Sequence, residues 1–291
     1  MKNIFNRLFK RIGKESQVDV PTESSRRDDI NIYGPPQILV GSAQSVGMQR
    51  DHNEDTLFTL SSVIADGDSQ VPLGILIVAD GMGGHQHGEI ASGTAVRSLV
   101  EFLSEKLFPP LLGLKTDEQM ESLQEILEMG IEKAQKLILR KAPGGGTTLT
   151  TALLIGNKVT IAHIGDSRLY YINKDGNIEV KTRDHSLVNR LIELGEITEE
   201  EAAVHPQRNV LYRALGQLDP VEADINTYPY PEEGMVMLCS DGLWGVISDE
   251  QLSNIVRSSS DLGTICRRLV QAANDNGGPD NISVVMAKII N

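Results

Sequence analysis

Six acidic side chains stand beside glycines or at the ends of apolar runs, where a folded chain could gather them. They come from five separate stretches, namely Glu54 and Asp55 in RDHNED, Asp80 in ADGMGG, Asp166 in IGDSR, Asp241 in SDGLW and Asp280 in GGPDNIS. Any one Asp-Gly pair is ordinarily a plain turn. A cluster of so many anions would repel itself unless cations neutralised it, and carboxylates without histidine or cysteine suit Mg²⁺ or Mn²⁺. The joint pattern therefore predicts a site for divalent metal ions.

Arg50 lies four residues before Glu54 and adds a cation to this set. The planar guanidinium can hold two phosphate oxygens at once, which makes an arginine beside such metals a natural phosphate anchor. Taken alone, Arg50 would be read as a surface ion-pair partner. In the company of the acids, it indicates chemistry on a phosphate group.

Two of the acids follow short apolar runs. Asp80 comes directly after ILIVA at 75–79, and Asp241 comes three residues after the end of MVML at 235–238. A short apolar run closed by glycine is typical of a buried strand that leaves the core at a sharp turn. We therefore expect both carboxylates to be held on rigid backbone at strand ends.

The rest of the chain alternates between strand and helix periodicity. The pattern predicts strands at 38–43, 56–63 and 73–79, then helices at 89–107 and 117–141. Successive β runs between 147 and 182 are joined by hairpin turn signals, so neighbouring strands should be antiparallel. After a polar, partly helical stretch come a strand, two helices and a final strand, at 235–240, 249–258, 261–275 and 282–289. This order predicts an α+β fold with helices outside antiparallel sheets.

Composition narrows the function classes. The 291 residues are 40% hydrophobic, which is enough for one large domain or two small ones. A formal net charge of −13 argues against a nucleic-acid-binding protein. Cys239 and Cys266 are too few for a disulfide framework and indicate a reducing, cytoplasmic compartment.

The first 14 residues, MKNIFNRLFKRIGK, are basic and carry no acid. Their apolar residues share one helical face, which suits contact with an anionic membrane surface or a partner. A solvated, frayed terminus is the alternative. Residues 15–37 are polar and rich in charge and proline, which predicts a flexible linker before a folded unit that begins near Ile38.

Eight motifs occur in an order and spacing that resembles the PP2C (PPM) family of metal-dependent protein serine/threonine phosphatases, in its bacterial form. They are RDHNED, DGMGGHQHGEIAS, GGGTTLTTALLIG, AHIGDSRLYYI, RDHS, RNVLYRALG, LCSDGLWG and GGPDNISVV, and together they cover about residues 38–290. The resemblance implies a four-layer α/β/β/α sandwich with a binuclear metal centre at one end. It also implies hydrolysis of phosphoserine and phosphothreonine by a hydroxide that bridges two metals.

The resemblance assigns the metal ligands by matching positions. Asp80 would bridge two Mn²⁺ or Mg²⁺ ions, the Gly81 carbonyl would bind one of them, and Asp241 with Asp280 would complete the other. Two divalent ions roughly 3.5–4 Å apart can activate a water at neutral pH and neutralise the oxygens of the transferring phosphoryl group. No cysteine or histidine nucleophile is then needed.

The remaining matched positions surround those ligands. Glu54 and Asp55 would hold metal-bound waters, Asp166 would bind a third, weaker ion, and Arg50 would bind the phosphate. We class Arg50 and Asp55 as catalytic and the other matched residues as metal ligands. Some family members use a histidine after the first Asp-Gly as the general acid, but Met82 stands there in this chain. A metal-bound water held by Asp166 is our hypothesis for the proton donor.

Residues 184–216 match a flap that helps select the protein substrate in related bacterial phosphatases, although a simple cover for the sheet edge is the alternative. The implied partners are phosphorylated proteins, including a Ser/Thr kinase and its substrates, and we expect a monomer. The rival functions are a pseudophosphatase that binds phosphoproteins and a phosphatase that acts on anti-anti-sigma factors. The intact metal positions argue against the pseudophosphatase, and the flap argues against the phosphatase of anti-anti-sigma factors.

Three other features have plainer interpretations. His85 and His87 could bind a transition metal, but they follow a glycine turn and suit a helix start better. His163 alternates with apolar residues and is predicted to be a satisfied core histidine. GGGTT at 144–148 lacks the lysine of a phosphate-binding P-loop, so a loop entering a strand is the better interpretation.

Overall fold

The computed structural model describes residues 34–66, 69–83, 86–113, 121–217 and 220–290. The predicted basic segment 1–14 and all of the linker 15–37 except its last four residues lie outside these ranges. Within them, two five-stranded sheets pack face to face, and helices cover both outer faces. The predicted four-layer α+β sandwich is confirmed.

All strand pairs are antiparallel, as the hairpin signals predicted. The first sheet has the order β1 (Gln37–Ser45), β12 (Ile282–Ile290), β11 (Met235–Cys239), β8 (Arg168–Ile172) and β9 (Ile178–Val180). The second sheet has the order β10 (Asp224–Pro229), β7 (Lys158–Ile164), β6 (Leu149–Ile155), β3 (Ser69–Ala79) and β2 (Thr56–Asp66). A two-residue pair, β4 (Gly81–Met82) with β5 (Gly146–Thr147), stands beside the second sheet.

The helices divide between the two outer faces. The second sheet is covered by α1 (Gln86–Leu111) and α2 (Leu123–Lys141), and the first by α5 (Asp241–Trp244), α6 (Asp249–Arg257) and α7 (Leu262–Asp275). Two short helices, α3 (Leu187–Glu193) and α4 (Glu199–Ala203), lie in the segment between β9 and β10. That segment contains the predicted flap.

The central strand β3 is apolar on both faces because both faces are covered. Ile75 and Ile77 pack in the core under α1 and α2, whereas Leu76 and Val78 pack in the core between the sheets. The same division holds for β11, in which alternate residues meet the helices or the opposite sheet. Continuous apolar runs are typical of strands buried on both sides. This rigid setting is what fixes the acids that follow each strand.

Most observed boundaries lie within four residues of the predicted ones, but the helix predicted at 117–141 begins at Leu123, because Ser122 is extended and forms a capping box with Glu125. The largest extension at a helix end is in α1, which continues past Pro109 and Pro110 to Leu111. Leu111 is 2% exposed and belongs to the core under the helices, so its burial favours the extra turn. None of the helices within the described ranges has the length and apolar character needed to cross a membrane.

Candidate metal centre

Five of the six acids lie together at one end of the sandwich, where strands of both sheets end, namely Asp55, Asp80, Asp166, Asp241 and Asp280. The sixth, Glu54, approaches the same end through Gly81. β3 ends immediately before Asp80, and β11 ends two residues before Asp241. Asp80 shares a hydrogen bond with Asp241 and interacts electrostatically with Asp55 and Asp166. Asp241 interacts in turn with Asp280. Acids that are up to 225 positions apart in the chain therefore form one cluster.

The main chain of Asp80 makes three hydrogen bonds with Thr147 and Thr148, where β5 leads into β6. Its N–H donates to the Thr148 hydroxyl at 2.9 Å, and its carbonyl accepts from the Thr148 N–H at 2.9 Å and from the Thr147 hydroxyl at 2.9 Å. Three hydrogen bonds to one residue's backbone leave little freedom for its carboxylate. The expected rigid placement of Asp80 is observed.

Gly81 lies where two other main-chain segments meet. A Cβ atom at this position would come within 2.4 Å of the Gly88 carbonyl oxygen and 2.6 Å of the Glu54 carbonyl oxygen. At Gly88, the first turn of α1, a Cβ atom would lie 2.0 Å from Glu54 Oε2. Such contacts are far inside van der Waals distance, so both glycines are required for Glu54 to approach Gly81 and α1 closely.

Two serines orient the buried Asp55. Its Oδ2 accepts hydrogen bonds from the hydroxyls of Ser240 at 2.8 Å and Ser283 at 2.7 Å, while Oδ1 is buried without a partner. Ser240 also occupies the N-cap position of α5, but its hydroxyl makes no capping bond to that helix. The Ser240 hydroxyl is therefore used to hold Asp55 and not to stabilise the helix that begins at Asp241.

Asn281 ties Glu54 to the neighbouring loops. Its Oδ1 accepts from the Glu54 N–H at 2.7 Å, and its Nδ2 donates to the carbonyls of Val46 at 2.8 Å and His52 at 2.9 Å. The Glu54 carboxylate also lies 3.0 Å from His52 Nε2. Asn281 had no predicted role, because no local pattern around NIS signals this function.

Arg50 and Asp280 are joined at the rim of the cluster. Arg50 Nη2 lies 2.7 Å from Asp280 Oδ2, and Asp280 Oδ1 accepts from the Asn281 N–H at 2.8 Å. The Arg50 side chain is 51% exposed, so it stands at the mouth of the site. The plain interpretation of Arg50 as an ion-pair partner is thus correct for this structure, but its partner is one of the predicted metal ligands.

Asp166 belongs to a network that the sequence analysis missed. Its carbonyl accepts from Trp244 Nε1 at 3.0 Å, and the guanidinium of Arg168 stacks over the Trp244 ring at 3.6 Å from the ring centre. Asp184 holds the other side of Arg168 through Nε at 3.1 Å and Nη2 at 2.8 Å. A planar fork held by carboxylate and ring fixes the segment that bears Asp166.

Burial and mutual repulsion disfavour the ionised carboxylates. Burial raises the pKa of Asp55 to about 7. The two serine hydroxyls oppose this shift, and repulsion from Asp241 and Asp280 adds to it. Burial with the charge of Asp280 raises the pKa of Asp241 to about 6. The pKa values of Asp80 and Asp166 also rise, through burial and then neighbouring carboxylates. Bound cations would remove this cost.

The donor chemistry fits hard divalent ions. Oδ1 of Asp55 and Oδ1 of Asp241 are buried without a hydrogen-bond partner. Buried polar atoms are nearly always paired in folded proteins, so these two oxygens indicate that another group completes the site. Across the described ranges, no three acidic, histidine or cysteine side chains are already arranged so that they could hold one metal ion. Asp80 is engaged with Asp241, and Asp280 with Arg50. An ion would therefore replace these contacts and not enter a finished cage.

A family model described as "Protein phosphatase 2C" matches residues 40–282, a span that holds the whole acidic cluster and every strand except the first three residues of β1 and all but the first residue of β12. The chain belongs to the protein phosphatase 2C family. Among curated proteins, it is 37% identical over 248 residues to the serine/threonine phosphatase stp of Listeria welshimeri, covering 83% of this chain and 92% of the relative. It is 36% identical over 246 residues to protein phosphatase PhpP of Streptococcus pneumoniae, covering 84% and 94%.

Solved structures of protein phosphatase 2C type are also similar. The S. agalactiae serine/threonine phosphatase superposes with a TM-score of 0.73 at 31% identity, covering 86% of this chain and 98% of that one. The catalytic domain of the serine/threonine protein phosphatase PstP, in complex with two manganese ions, has a TM-score of 0.67 at 30% identity, covering 88% and 100%. The resemblance stated from the motifs is confirmed.

The remaining sequence predictions can be placed in this protein phosphatase 2C fold. His163 is 1% exposed and bonds Thr150 Oγ1 and the Arg183 carbonyl at 3.0 Å each, so the prediction of a satisfied core histidine is confirmed. His87 lies in the first turn of α1, and His85 lies outside the described residues. The GGGTT stretch enters β5 and then β6 as expected.

Met82 and the flap meet at the mouth of the site. Gln217 is the first residue after the flap, and Met82 directly follows the Asp80–Gly81 pair. Gln217 Nε2 lies 3.3 Å from Met82 Sδ. The end of the flap is anchored by a β-bridge between Leu215 and Thr147. The flap of this protein phosphatase 2C domain therefore returns to the chain beside the acidic cluster.

Proposed function

We propose that this protein removes phosphate from phosphoserine and phosphothreonine in other proteins, with divalent metal ions held by the acidic cluster. The observation that carries the proposal is the convergence of Asp55, Asp80, Asp166 and Asp241 on one buried patch with unpaired carboxylate oxygens. The similar phosphatases and the manganese-bound structure support the same reaction class. Phosphoproteins are therefore the substrate class.

Each acid has a position that suits a ligand role. Asp80, Asp241 and Asp280, together with the Gly81 carbonyl, would hold two divalent ions. Glu54 and Asp55 would act through bound waters, and Asp166 would hold a third, weaker ion, completing a list of Glu54, Asp55, Asp80, Gly81, Asp166, Asp241 and Asp280. The close approach of Gly81 to the Glu54 carbonyl supports the assignment of these two residues to the same metal site.

When bound, divalent ions supply Lewis-acid activation of water and neutralise charge on the phosphoryl oxygens. The chain's own part is to hold the reactants. Arg50, at the mouth, would grip two phosphate oxygens once its contact with Asp280 is released. Asp55, fixed by two serine hydroxyls, would orient the attacking water. Attack on phosphorus breaks the ester bond and frees the serine or threonine oxygen.

That departing oxygen needs a proton, and Met82 cannot donate one. We assign the proton to a water held by Asp166, whose segment is fixed by Trp244 and Arg168. The electrostatic interaction between Asp166 and Asp80 supports the assignment, because it places Asp166 beside the proposed metal ligands.

The deciding experiment is hydrolysis of a phosphothreonine peptide by the purified protein, with Mn²⁺ and with chelator. Asp241→Asn is compared with Asp249→Asn, the same substitution at an exposed position of α6. Activity that needs metal, vanishes in Asp241→Asn and persists in Asp249→Asn would establish the reaction. Peptide and Mn²⁺ binding without turnover in the unaltered protein would point to a pseudophosphatase.

Three finer assignments belong to the same proposal. We propose that a Ser/Thr kinase and its substrates are the partners, and that the protein acts as a monomer. We also propose that residues 1–14 contact an anionic membrane surface, because the sequence of that segment predicts an apolar helical face opposite five basic residues. Sedimentation of the full chain with phosphatidylserine vesicles, compared with a chain that begins at residue 15, tests the last assignment.

A further inference from the structure

Asp166 lies in a short connection between β7 and β8 that two consecutive residues grip from opposite sides. The Nδ1 atom of His185 accepts from the Gly165 N–H at 3.1 Å, and the His185 N–H donates to the Gly165 carbonyl at 2.7 Å. Asp184 holds Arg168 on the other side of the same connection. We refer to Asp184 and His185 together as the clasp.

The gripped connection packs closely against the residue that precedes β6. Gly165 has a φ of +106°, and a Cβ atom there would lie 2.5 Å from Thr148 Cγ2. Thr148 is the residue whose hydroxyl and N–H hold the main chain of Asp80. The backbone next to Asp166 is thus wedged between the clasp and the strand start that fixes Asp80.

The clasp is also the point from which the flap leaves and to which it returns. The His185 carbonyl accepts from the Tyr212 N–H at 2.9 Å, and the adjacent Ser186 forms a β-bridge with Leu211. His185 Nε2 lies 3.2 Å from Asp224 Oδ2 after the flap, and Asp224 Oδ1 accepts from Arg213 at 3.2 Å. His185 is 1% exposed, whereas the Asp224 side chain that it contacts is 36% exposed.

We propose that the Asp184–His185 clasp is a positioning element that couples the flap to Asp166, so that a protein substrate pressing on the flap alters where the Asp166 carboxylate sits. The coupling follows from geometry, since His185 holds Gly165 by main chain and side chain while its own carbonyl and ring hold the flap. It rests on the proposed function through the role assigned to Asp166. Asp184 is 9% exposed and His185 is 1% exposed, so the clasp would act through Asp166 and not on the substrate phosphate itself.

Two amide replacements at position 185 separate positioning from simple structural support. In His185→Asn the side-chain oxygen can take the place of Nδ1 and accept from Gly165, whereas in His185→Gln the polar group reaches toward Asp224 and leaves the Gly165 N–H without its partner. Both variants lose the imidazole ring. They are compared by thermal unfolding, by calorimetric titration with Mn²⁺, and by kcat and KM on a phosphothreonine peptide and on p-nitrophenyl phosphate.

We expect His185→Gln to lower kcat on the peptide by about tenfold and to weaken the weakest Mn²⁺ binding step by about tenfold, as loss of an outer-shell partner commonly does. His185→Asn should stay within about threefold of the unaltered protein in both measurements. Equal impairment of the two variants, or no change in either, would overturn the proposal. Arg168→Lys, which breaks the other side of the clasp, decides the matter by the same two measurements if His185→Gln does not fold.

The Mn²⁺ titration keeps this inference distinct from the proposed function. If the unaltered protein binds Mn²⁺ but hydrolyses neither substrate, the proposed function fails while the clasp is still judged by the binding step. If it hydrolyses both and the two amide variants are alike, the clasp proposal fails alone.

Discussion

Arg50 and Asp280 form an ion pair, with Nη2 2.7 Å from Oδ2, although our proposal gives one to phosphate and the other to a metal ion. An ion on Asp280 would weaken this pair by neutralising the carboxylate, and would leave the guanidinium for phosphate. The pair is partly exposed on both sides, so little free energy opposes its release. Metal and phosphate should therefore bind with positive coupling.

Arg50→Lys should weaken phosphate recognition because lysine keeps the charge but loses the planar fork. We expect KM for a phosphothreonine peptide and the inhibition constant for inorganic phosphate both to rise about tenfold, which corresponds to about 1.4 kcal/mol. Steady-state kinetics with added phosphate measures both. The control is Arg267→Lys on the exposed side of α7. An unchanged inhibition constant would remove Arg50 from the phosphate site.

Asp241→Asn should stabilise the metal-free protein and abolish the stabilisation that Mn²⁺ provides. Burial and the charge of Asp280 disfavour the Asp241 carboxylate, so removing its charge should raise the free energy of unfolding in chelator by about 2 kcal/mol. The unaltered protein should gain about 2.7 kcal/mol at an Mn²⁺ concentration of 100 times Kd. Urea unfolding with and without Mn²⁺ tests both statements, and an equal gain in the two proteins contradicts them.

Asp166→Asn should distinguish substrates by their leaving groups. A phosphoserine peptide releases a strongly basic alkoxide that needs a proton, whereas p-nitrophenyl phosphate releases a stable anion. We therefore expect kcat to fall about a hundredfold on the peptide and less than tenfold on p-nitrophenyl phosphate. If peptide hydrolysis is unaffected, the proton comes from elsewhere.

Asn281→Asp should destabilise the protein by about 3 kcal/mol, because the new carboxylate cannot donate to the carbonyls of Val46 and His52 and adds a charge near Glu54. Thermal unfolding in chelator measures the loss. Asn254→Asp, on the exposed side of α6, should change the melting temperature by little. Similar shifts in both variants would mean that the buried bonds of Asn281 carry little weight.

His163 should make the fold sensitive to mild acid. Burial lowers the pKa of His163 to about 3, whereas an unfolded chain has a histidine pKa of about 6.5. Between these values the unfolded state binds more protons, so the contribution of the neutral ring is complete above pH 6.5 and is lost as pH falls. The difference in unfolding free energy between the unaltered protein and His163→Asn should shrink by about 2 kcal/mol from pH 7.5 to pH 5. Parallel pH profiles in urea unfolding would contradict this.

The sequence alone determined the layers of the fold and the residues of the cluster. The run that ends at Asp80 is apolar throughout because its strand is buried on both faces, and that property is visible in a few neighbouring letters. Gly81 is required by close backbone contacts, and the motif placed it beside Asp80 without any coordinates. The assignment of roles came from the ordered motifs, since an isolated Asp-Gly is usually a turn.

Only the tertiary structure decided which side chains hold the acids in place. Ser283 reaches Asp55 across 228 positions of the chain and Asn281 reaches Glu54 across 227, so no local periodicity could pair them. The clasp at His185 likewise depends on a connection twenty residues earlier being wedged against Thr148. Strand and turn preferences are local and can be predicted from the sequence, whereas a buried hydrogen bond depends on two distant segments meeting at hydrogen-bonding distance.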